Sequence, residues 1–546
     1  MKKLFFIATV MLLASGPLGS LKAQDSVFSY THQGTTLYYI VNDRAEAVVV
    51  PPLHPNMRQA PNGDYSTWYG YTQPTGAVAI PDTVPYNGGT YPVKRIGVNA
   101  FFNCNAITSV ALPVGTEQID VSAFLSCSSM QDITLPTALQ KIGHSAFGEC
   151  SSLTAINIPE NVVLIDSAAF AMCSQLQTVT LPDGIQTIRW ATFANCTNLR
   201  SINFPSSLTT IEDFAFNGDN MLGPTIELPN GLTSIGSVAF SDCSSIVNIT
   251  LPESLNFIDE GAFYQCSGLQ SITIPQGVTT LENNVFGGCT QLQSVTLPEG
   301  LTAIYEQTFA NCSSLHDINL PQTLTYVGQW TFYNCAALDT MIFPNNVLGM
   351  GSAALALCSS LNYCRLPERL NRVEGWLLYG TALEELVVPD NVTYIDEQAF
   401  AGCTLLHKVT LPASLTTIAD SLFIDGTPLD TLILRCQEPP TVPANAFPDF
   451  NVTLIVPCGT EEAYRQHAVW GQFTTIVENC NAIDGAESHN LKVYSRNGHI
   501  VVEGAAGEEV QVYDMSGRKV ANNNLPIGAY MVKVGDKMFK TITLKQ

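Results

Sequence analysis

The stretch Gly143-His-Ser145-Ala-Phe147-Gly148 comes nearest to hydrolytic chemistry, with a serine beside a histidine and a glycine on either side. A nucleophile elbow needs glycine two places after the serine, where the chain turns sharply to expose the hydroxyl. Phe147 stands there instead. The eight histidines are scattered, with no His-Glu-x-x-His pair, no P-loop and no Gly-x-Gly-x-x-Gly opening a helix. The sixteen cysteines include no Cys-x-x-Cys pair, so zinc-type ligation has no framework. Acidic residues fall in variable positions, which gives no reason to pair two carboxylates in a pocket. These residues point to no catalytic group, no cofactor and no metal, and the chain reads as a protein that is not an enzyme.

Binding chemistry is a better prospect. Trp330, Tyr333, Tyr363, Arg365, Arg369, Arg372, Trp376 and Tyr379 crowd into a short stretch of a chain otherwise poor in charge. Exposed aromatics with arginine are the composition of interface hot spots. The competing reading is that a degenerate segment repacks its core with larger side chains.

What must position these residues is a repeat. Leu-Pro or Ile-Pro pairs recur with prolines at Pro136, Pro159, Pro182 and Pro205, then from Pro229 to Pro367 and on to Pro412, at a step of 23 residues almost throughout. One unit reads Leu153-Thr-Ala-Ile156-Asn-Ile158-Pro159, then Val162-Val-Leu-Ile165, then Ala169-Phe170-Ala-Met-Cys173. Ile156 and Ile158 around Asn157 have the alternation of a strand with one buried face. Pro159 lacks the N–H that would carry the ladder further. Gly, Ser or Asn two places later supplies turn chemistry. The Val-x-x-Ile segment returns a second apolar edge to the core, and Phe170 fills the interior. No unit buries enough apolar surface to stand alone, so each is stable only against its neighbours. The expectation is a β-rich solenoid of short strands and turns. At about 4.8 Å per turn, fourteen units stack to roughly 65–70 Å.

These motifs resemble the BspA-type leucine-rich-repeat proteins of bacteria. The resemblance runs from residue 78 to about 480. It starts with Tyr91-Pro-Val-Lys-Arg-Ile-Gly97-Val-Asn-Ala-Phe101, which looks like the family's first unit, and closes with Thr453-Leu-Ile-Val-Pro457-Cys-Gly, Tyr464 and Trp470-Gly-Gln-Phe473. It implies cell-surface adhesion to host matrix, host cells or other bacteria. Alternatives are carbohydrate capture and a passive structural role at the surface.

Composition agrees with an exported interaction protein. The chain is 46% hydrophobic, 13% charged and carries a formal charge of −23. Nucleic acid and anionic membranes both demand a Lys/Arg footprint that is missing here. Lys2 and Lys3 followed by the apolar run Leu4 to Ala14, with Ala23 before a cleavage point, have the form of a signal peptide. The run is too short to span a bilayer. At the other end, Val510-Gln-Val-Tyr513-Asp-Met-Ser-Gly-Arg518, Pro526-Ile-Gly528-Ala-Tyr530 and Lys545 are similar to the C-terminal sorting domains of type IX secretion in Bacteroidota. The resulting division is a signal peptide over 1–23, a β-rich cap over 24–77, the solenoid over 78–434, a closing unit over 435–480 and a small β-sandwich over 481–546. A monomer is expected at the outer-membrane surface or outside the cell, with a matrix protein, cell-surface protein or glycan as partner.

Twelve cysteines form a column from Cys104 to Cys403. Because Asp219, Thr381 and Gly426 take the same place in other units, the column reads as free, buried thiols. Cys364 occupies a core position. A bridge between Cys436 and Cys458 on adjacent final strands is left open. The outward strand column, Thr134, Asn157, Thr180, Asn203, Thr250, Thr273, Thr296 and Asn319, reads as a solvated face or as a dock for glycan or extended peptide. Ile342, Arg365 and Val387 interrupt it.

Overall fold

The structure, a computed structural model, describes residues 26–54, 58–59 and 65–480, together with six strands between 492 and 543. The signal-peptide residues 1–23, Arg518, Pro526 and Lys545 lie outside the described residues. Two compact units are formed, Met1–Glu478 and Asn479–Gln546.

The larger unit is a coil of three sides in every turn, each imposed by the repeat. On the first side, strands such as Ala155–Asn157, Thr178–Thr180 and Ser201–Ile202 pair in parallel, with Ile156 opposite Val179 and Val179 opposite Ile202. Each buries its middle residue and exposes its flanks, as the alternation requires. On the second side, two-residue strands such as Thr187–Ile188, Thr210–Ile211 and Ser234–Ile235 form another parallel ladder.

The third side is built from turns, yet its backbone is also paired from turn to turn. Phe124 N–H donates to Ala146 O at 2.8 Å, Phe147 to Ala169 at 2.8 Å and Phe170 to Thr192 at 2.9 Å. This geometry requires two left-handed residues per unit, one two places before the core phenylalanine and one just before the cysteine, as at Ala168 and Met172. Ser145 of the Gly-His-Ser stretch is a member of the first of these columns and is buried.

Inside, Phe101 to Phe332 form one uninterrupted stack. Successive ring centroids are 5.0–5.6 Å apart and their planes lie within 12° of parallel. Such offset stacking adds to the burial of each ring.

The thiols have a partner that the repeat pattern did not reveal. From Cys127 to Cys358 each column cysteine donates S–H to the carbonyl of a phenylalanine in the preceding turn, as Cys127 does to Phe101 at 3.2 Å and Cys266 to Phe240 at 3.1 Å, and Cys403 donates to Leu378 O at 3.1 Å. Burial pushes the thiols of Cys127, Cys289 and Cys358 up to about 12, so they stay protonated and keep donating. Where the column changes, Thr381 donates to Leu378 O at 3.0 Å. At the last such position the donor is Thr427, which reaches Phe400 O at 3.2 Å, and not Gly426, which takes the left-handed place before it.

Both ends of the coil are closed. At the start, Phe28–His32, Thr35–Val41 and Ala47–Val50 run antiparallel, and Ala47–Val50 joins Gly89–Ile96 at the head of the second-side ladder. Trp68 covers the first turns, its indole N–H donating to Ala100 O at 3.1 Å. At the far end, Thr453–Pro457 and Thr475–Asn479 extend the first side. Tyr464 donates to Cys436 O at 2.9 Å and Trp470 to Pro440 O at 2.8 Å.

The bridge left open between Cys436 and Cys458 is not formed. Cys436 is free, buried and donates to Pro412 O at 3.1 Å. Cys458 is disulfide-bonded, and since the other fourteen cysteines are free, its partner is Cys480. The two follow neighbouring strands at 22 residues' spacing, one turn of the coil. Cys436 precedes Cys458 by the same interval but faces inward, which aims its sulfur away.

In the smaller unit, Val510–Asp514, Lys519–Val520, Gly528–Val534 and Lys537–Thr543 form an antiparallel sheet, and Lys492–Arg496 pairs with His499–Glu503. Among the described residues, no helix is long and apolar enough to cross a membrane.

Candidate functional site

On the third side, three successive turns place Trp330 and Tyr333, Ala353 and Ala356, and Trp376 and Tyr379 in two matching columns. Aromatic pairs therefore stand on either side of an alanine pair. The result is a cleft of about 500 Å³ whose floor is Ala353, Ala356 and Leu357, with Gln329, Ser352, Gly375, Asp396 and Glu397 at its edge. Trp376 and Tyr379 pack together with ring centroids 5.1 Å apart.

The backbone explains why the indoles point outward. Trp330, Ala353 and Trp376 all belong to the left-handed column, with φ of 55°, 54° and 63°. Left-handed residues lie at the outer corner of the turn, and their amides continue the rung-to-rung pairing through Ser352, Gly375 and Glu397 carbonyls. The conformation costs an L-residue roughly 1–2 kcal/mol. It recurs in every turn, so the strain belongs to the fold, and only the choice of tryptophan is particular to these two.

The core at these turns is not enlarged. The stacked phenylalanine column is interrupted by Leu355 and Leu378, while Trp330 and Trp376 are 39% and 40% exposed. Phe332, the last ring of the stack, and Phe343 are the buried aromatics nearby. The core column thus narrows at two of these turns, and the tryptophans stand outside it.

Of the eight residues singled out in the sequence, the structure brings four to the cleft: Trp330, Tyr333, Trp376 and Tyr379. The others lie on different sides. Tyr363 and Arg365 are exposed on strand Tyr363–Arg365 of the first side, and Arg369 is exposed in the turn after Pro367. Arg372 belongs to the second-side ladder, where Nη2 meets Asp396 at 2.6 Å, Nε meets Glu374 at 3.2 Å and the guanidinium lies 4.3 Å over the Tyr394 ring. The hydrogen bond to Asp396 raises the pKa of Arg372 further. Proximity in sequence had merged residues that the coil separates, because 23 residues pass around all three sides. Missed in the sequence were Ala353 and Ala356 and the carboxylates Asp396 and Glu397. The visible signal was Trp-x-x-Tyr at 330 and again two periods later at 376, with Ala-x-x-Ala midway.

The first side behaves differently. Its outward residues are exposed, and two of them are tied to the backbone of the preceding strand: Asn203 exchanges hydrogen bonds with Leu181 at 2.7 and 2.8 Å, and Asn319 with Leu297 at 2.7 and 2.9 Å.

Among solved structures, a leucine-rich repeat protein from Bacteroides ovatus is 24% identical, with 76% of this chain and 94% of that one covered and a TM-score of 0.48. A leucine-rich cell surface protein from Faecalibacterium prausnitzii is 28% identical, over 76% and 96%, with a TM-score of 0.45. No curated protein matches the chain. Residues 94–223, 223–339 and 327–452 match, in six copies, the family described as the BspA type leucine-rich repeat region, and the chain belongs to that family.

Proposed function

We propose that this chain is an exported surface protein that binds a macromolecular partner in the manner of an adhesin, with the cleft between Trp330 and Trp376 as its anchor point. The observation that carries this reading is a pair of exposed tryptophans on either side of an alanine pair, over a core column that narrows to leucine. Leu355 and Leu378 occupy the core column while two tryptophans stand about 40% exposed beside a small-residue floor. Exposed indoles around a concave floor offer a partner large contact area with few rotors to freeze. Partners of the expected kind are host matrix, host cells or other bacteria. Export is supported by the Lys2-Lys3 and Leu4–Ala14 run, and the tail's likeness to type IX sorting domains supplies a route to the surface. Membership of a leucine-rich-repeat family favours binding over catalysis.

The full mature chain should bind saturably to at least one of immobilised fibronectin, fibrinogen, laminin or whole bacterial cells, and Trp376→Ala should weaken that binding. Capture that is indifferent to both Trp330→Ala and Trp376→Ala would remove the cleft from the interface. A glycan reading is favoured by one feature, the hydrogen-bonding groups of Gln329, Asp396 and Glu397 beside aromatic walls. Its mark is saturation on a glycan array with loss in Trp330→Ala.

A further inference from the structure

We infer that the cleft receives a cationic side chain, an arginine guanidinium on a basic segment of a partner protein. This rests on the binding role proposed for the cleft and names the chemistry it recognises. The lining holds two carboxylates, Asp396 and Glu397, and no lysine, arginine or histidine. Asp396 is already engaged by Arg372. Glu397 is exposed, and among the described residues its carboxylate accepts no hydrogen bond and joins no ion pair. An unspent carboxylate beside two tryptophans is a complementary setting for a guanidinium, which is attracted by an indole face and pairs with a carboxylate through its planar fork.

The protein holds such a cation one step away. Arg372 lies over the Tyr394 ring while its nitrogens bond Asp396 and Glu374, so an aromatic with carboxylates accommodates arginine on this very stretch of the coil. The cleft repeats that combination with a better aromatic, one carboxylate and an open floor. The formal charge of −23 adds a long-range bias toward cationic partners. A neutral sugar gains nothing from it.

The test uses the full chain and short glycine-spaced arginine peptides, with citrulline peptides as neutral isosteres and neutral oligosaccharides as the competing class, read by tryptophan fluorescence and calorimetry. The arginine peptide should bind about tenfold more tightly than its citrulline counterpart, and less tightly as salt is raised. Glu397→Gln should weaken it about two- to fivefold, and Trp376→Ala by a similar factor. Ala353→Trp should abolish binding by filling the floor, and its backbone already carries tryptophan in the same left-handed place one turn to either side. If Ala353→Trp fails to fold, the near-isosteric Glu397→Gln still decides. Equal binding of arginine and citrulline peptides overturns the inference, as does saturation by a neutral oligosaccharide alone or silence with every peptide. The anchor role of the cleft is judged separately, by whether Trp376→Ala weakens capture of the macromolecular partner.

Discussion

Between Ala168 and Phe214 the third side carries Ala168 and Ala171 on one turn and Ala191 and Ala194 on the next, all buried, with Trp190 and Phe214 packed against them. Between Trp330 and Tyr379 the same columns hold an alanine pair again, but there it floors an open cleft. The backbone is the same in both places. What differs is where the tryptophan sits. Trp190 stands one residue before the left-handed position, and its ring lies 6.1 Å from that of Phe214, as a lid over small residues. Trp330 and Trp376 stand in the left-handed position itself and rise as walls. Phe214 also takes the left-handed position yet packs over the alanines, so the open cleft goes with a single alanine pair walled by tryptophan on both sides.

The largest expected effect tests whether the interiors beneath the two regions are alike in kind. Phe193→Ala and Phe332→Ala each remove a fully buried ring and should cost about 3–5 kcal/mol in denaturant unfolding. A cost under about 1 kcal/mol at Phe332 would mean the cleft region lacks a firm core. Next comes the contrast between lid and wall. Trp190→Ala should lose about 2 kcal/mol because it uncovers apolar alanines, whereas Trp376→Ala should stay below about 1 kcal/mol. Equal losses would erase the distinction drawn here.

Just beyond the closed region, Asp219 takes the place of a column cysteine. Its Oδ1 accepts the Cys196 amide at 2.8 Å, and Oδ2 is buried without a hydrogen-bond partner. Burial drives its pKa well above the ordinary carboxylate value. A carboxyl whose pKa is raised on folding contributes its stability below the unfolded value and loses it as pH rises through the folded one. Unfolding free energy should therefore fall toward neutral and alkaline pH. Asp219→Cys, which restores the donor, should flatten that dependence and add about 1–3 kcal/mol there. No comparable gap exists in the cleft region, where Cys335, Cys358 and Thr381 all donate. The smallest effect concerns those donors. Cys358→Ser keeps a hydrogen bond in the same slot and should change stability by about 1 kcal/mol or less, while Cys358→Val, which deletes it, should cost about 1 kcal/mol more. Identical results would reduce the thiol column to packing alone.

The coil was legible in the sequence because a fixed 23-residue period constrains every column at once: the buried Ile, the strand-ending Pro, the stacked Phe and the Cys each answer to one place in the turn. The presence of Trp330 and Trp376 two periods apart was legible for the same reason. Which of their neighbours share a surface with them was not. Tyr363, Arg365, Arg369 and Arg372 lie closer in sequence to Trp376 than Trp330 does, yet the chain carries them to other sides. Asp396 and Glu397 return to the cleft only by completing another turn. The cysteines divide in the same way. Period alone marked the column, but whether a sulfur reaches a carbonyl, as in Cys436, or another sulfur, as in Cys458 and Cys480, depends on which face of its strand it leaves. Periodicity determines the place of each residue within a turn. Contact across the surface is decided only when the turns are stacked, because neighbours on that surface are one whole period apart.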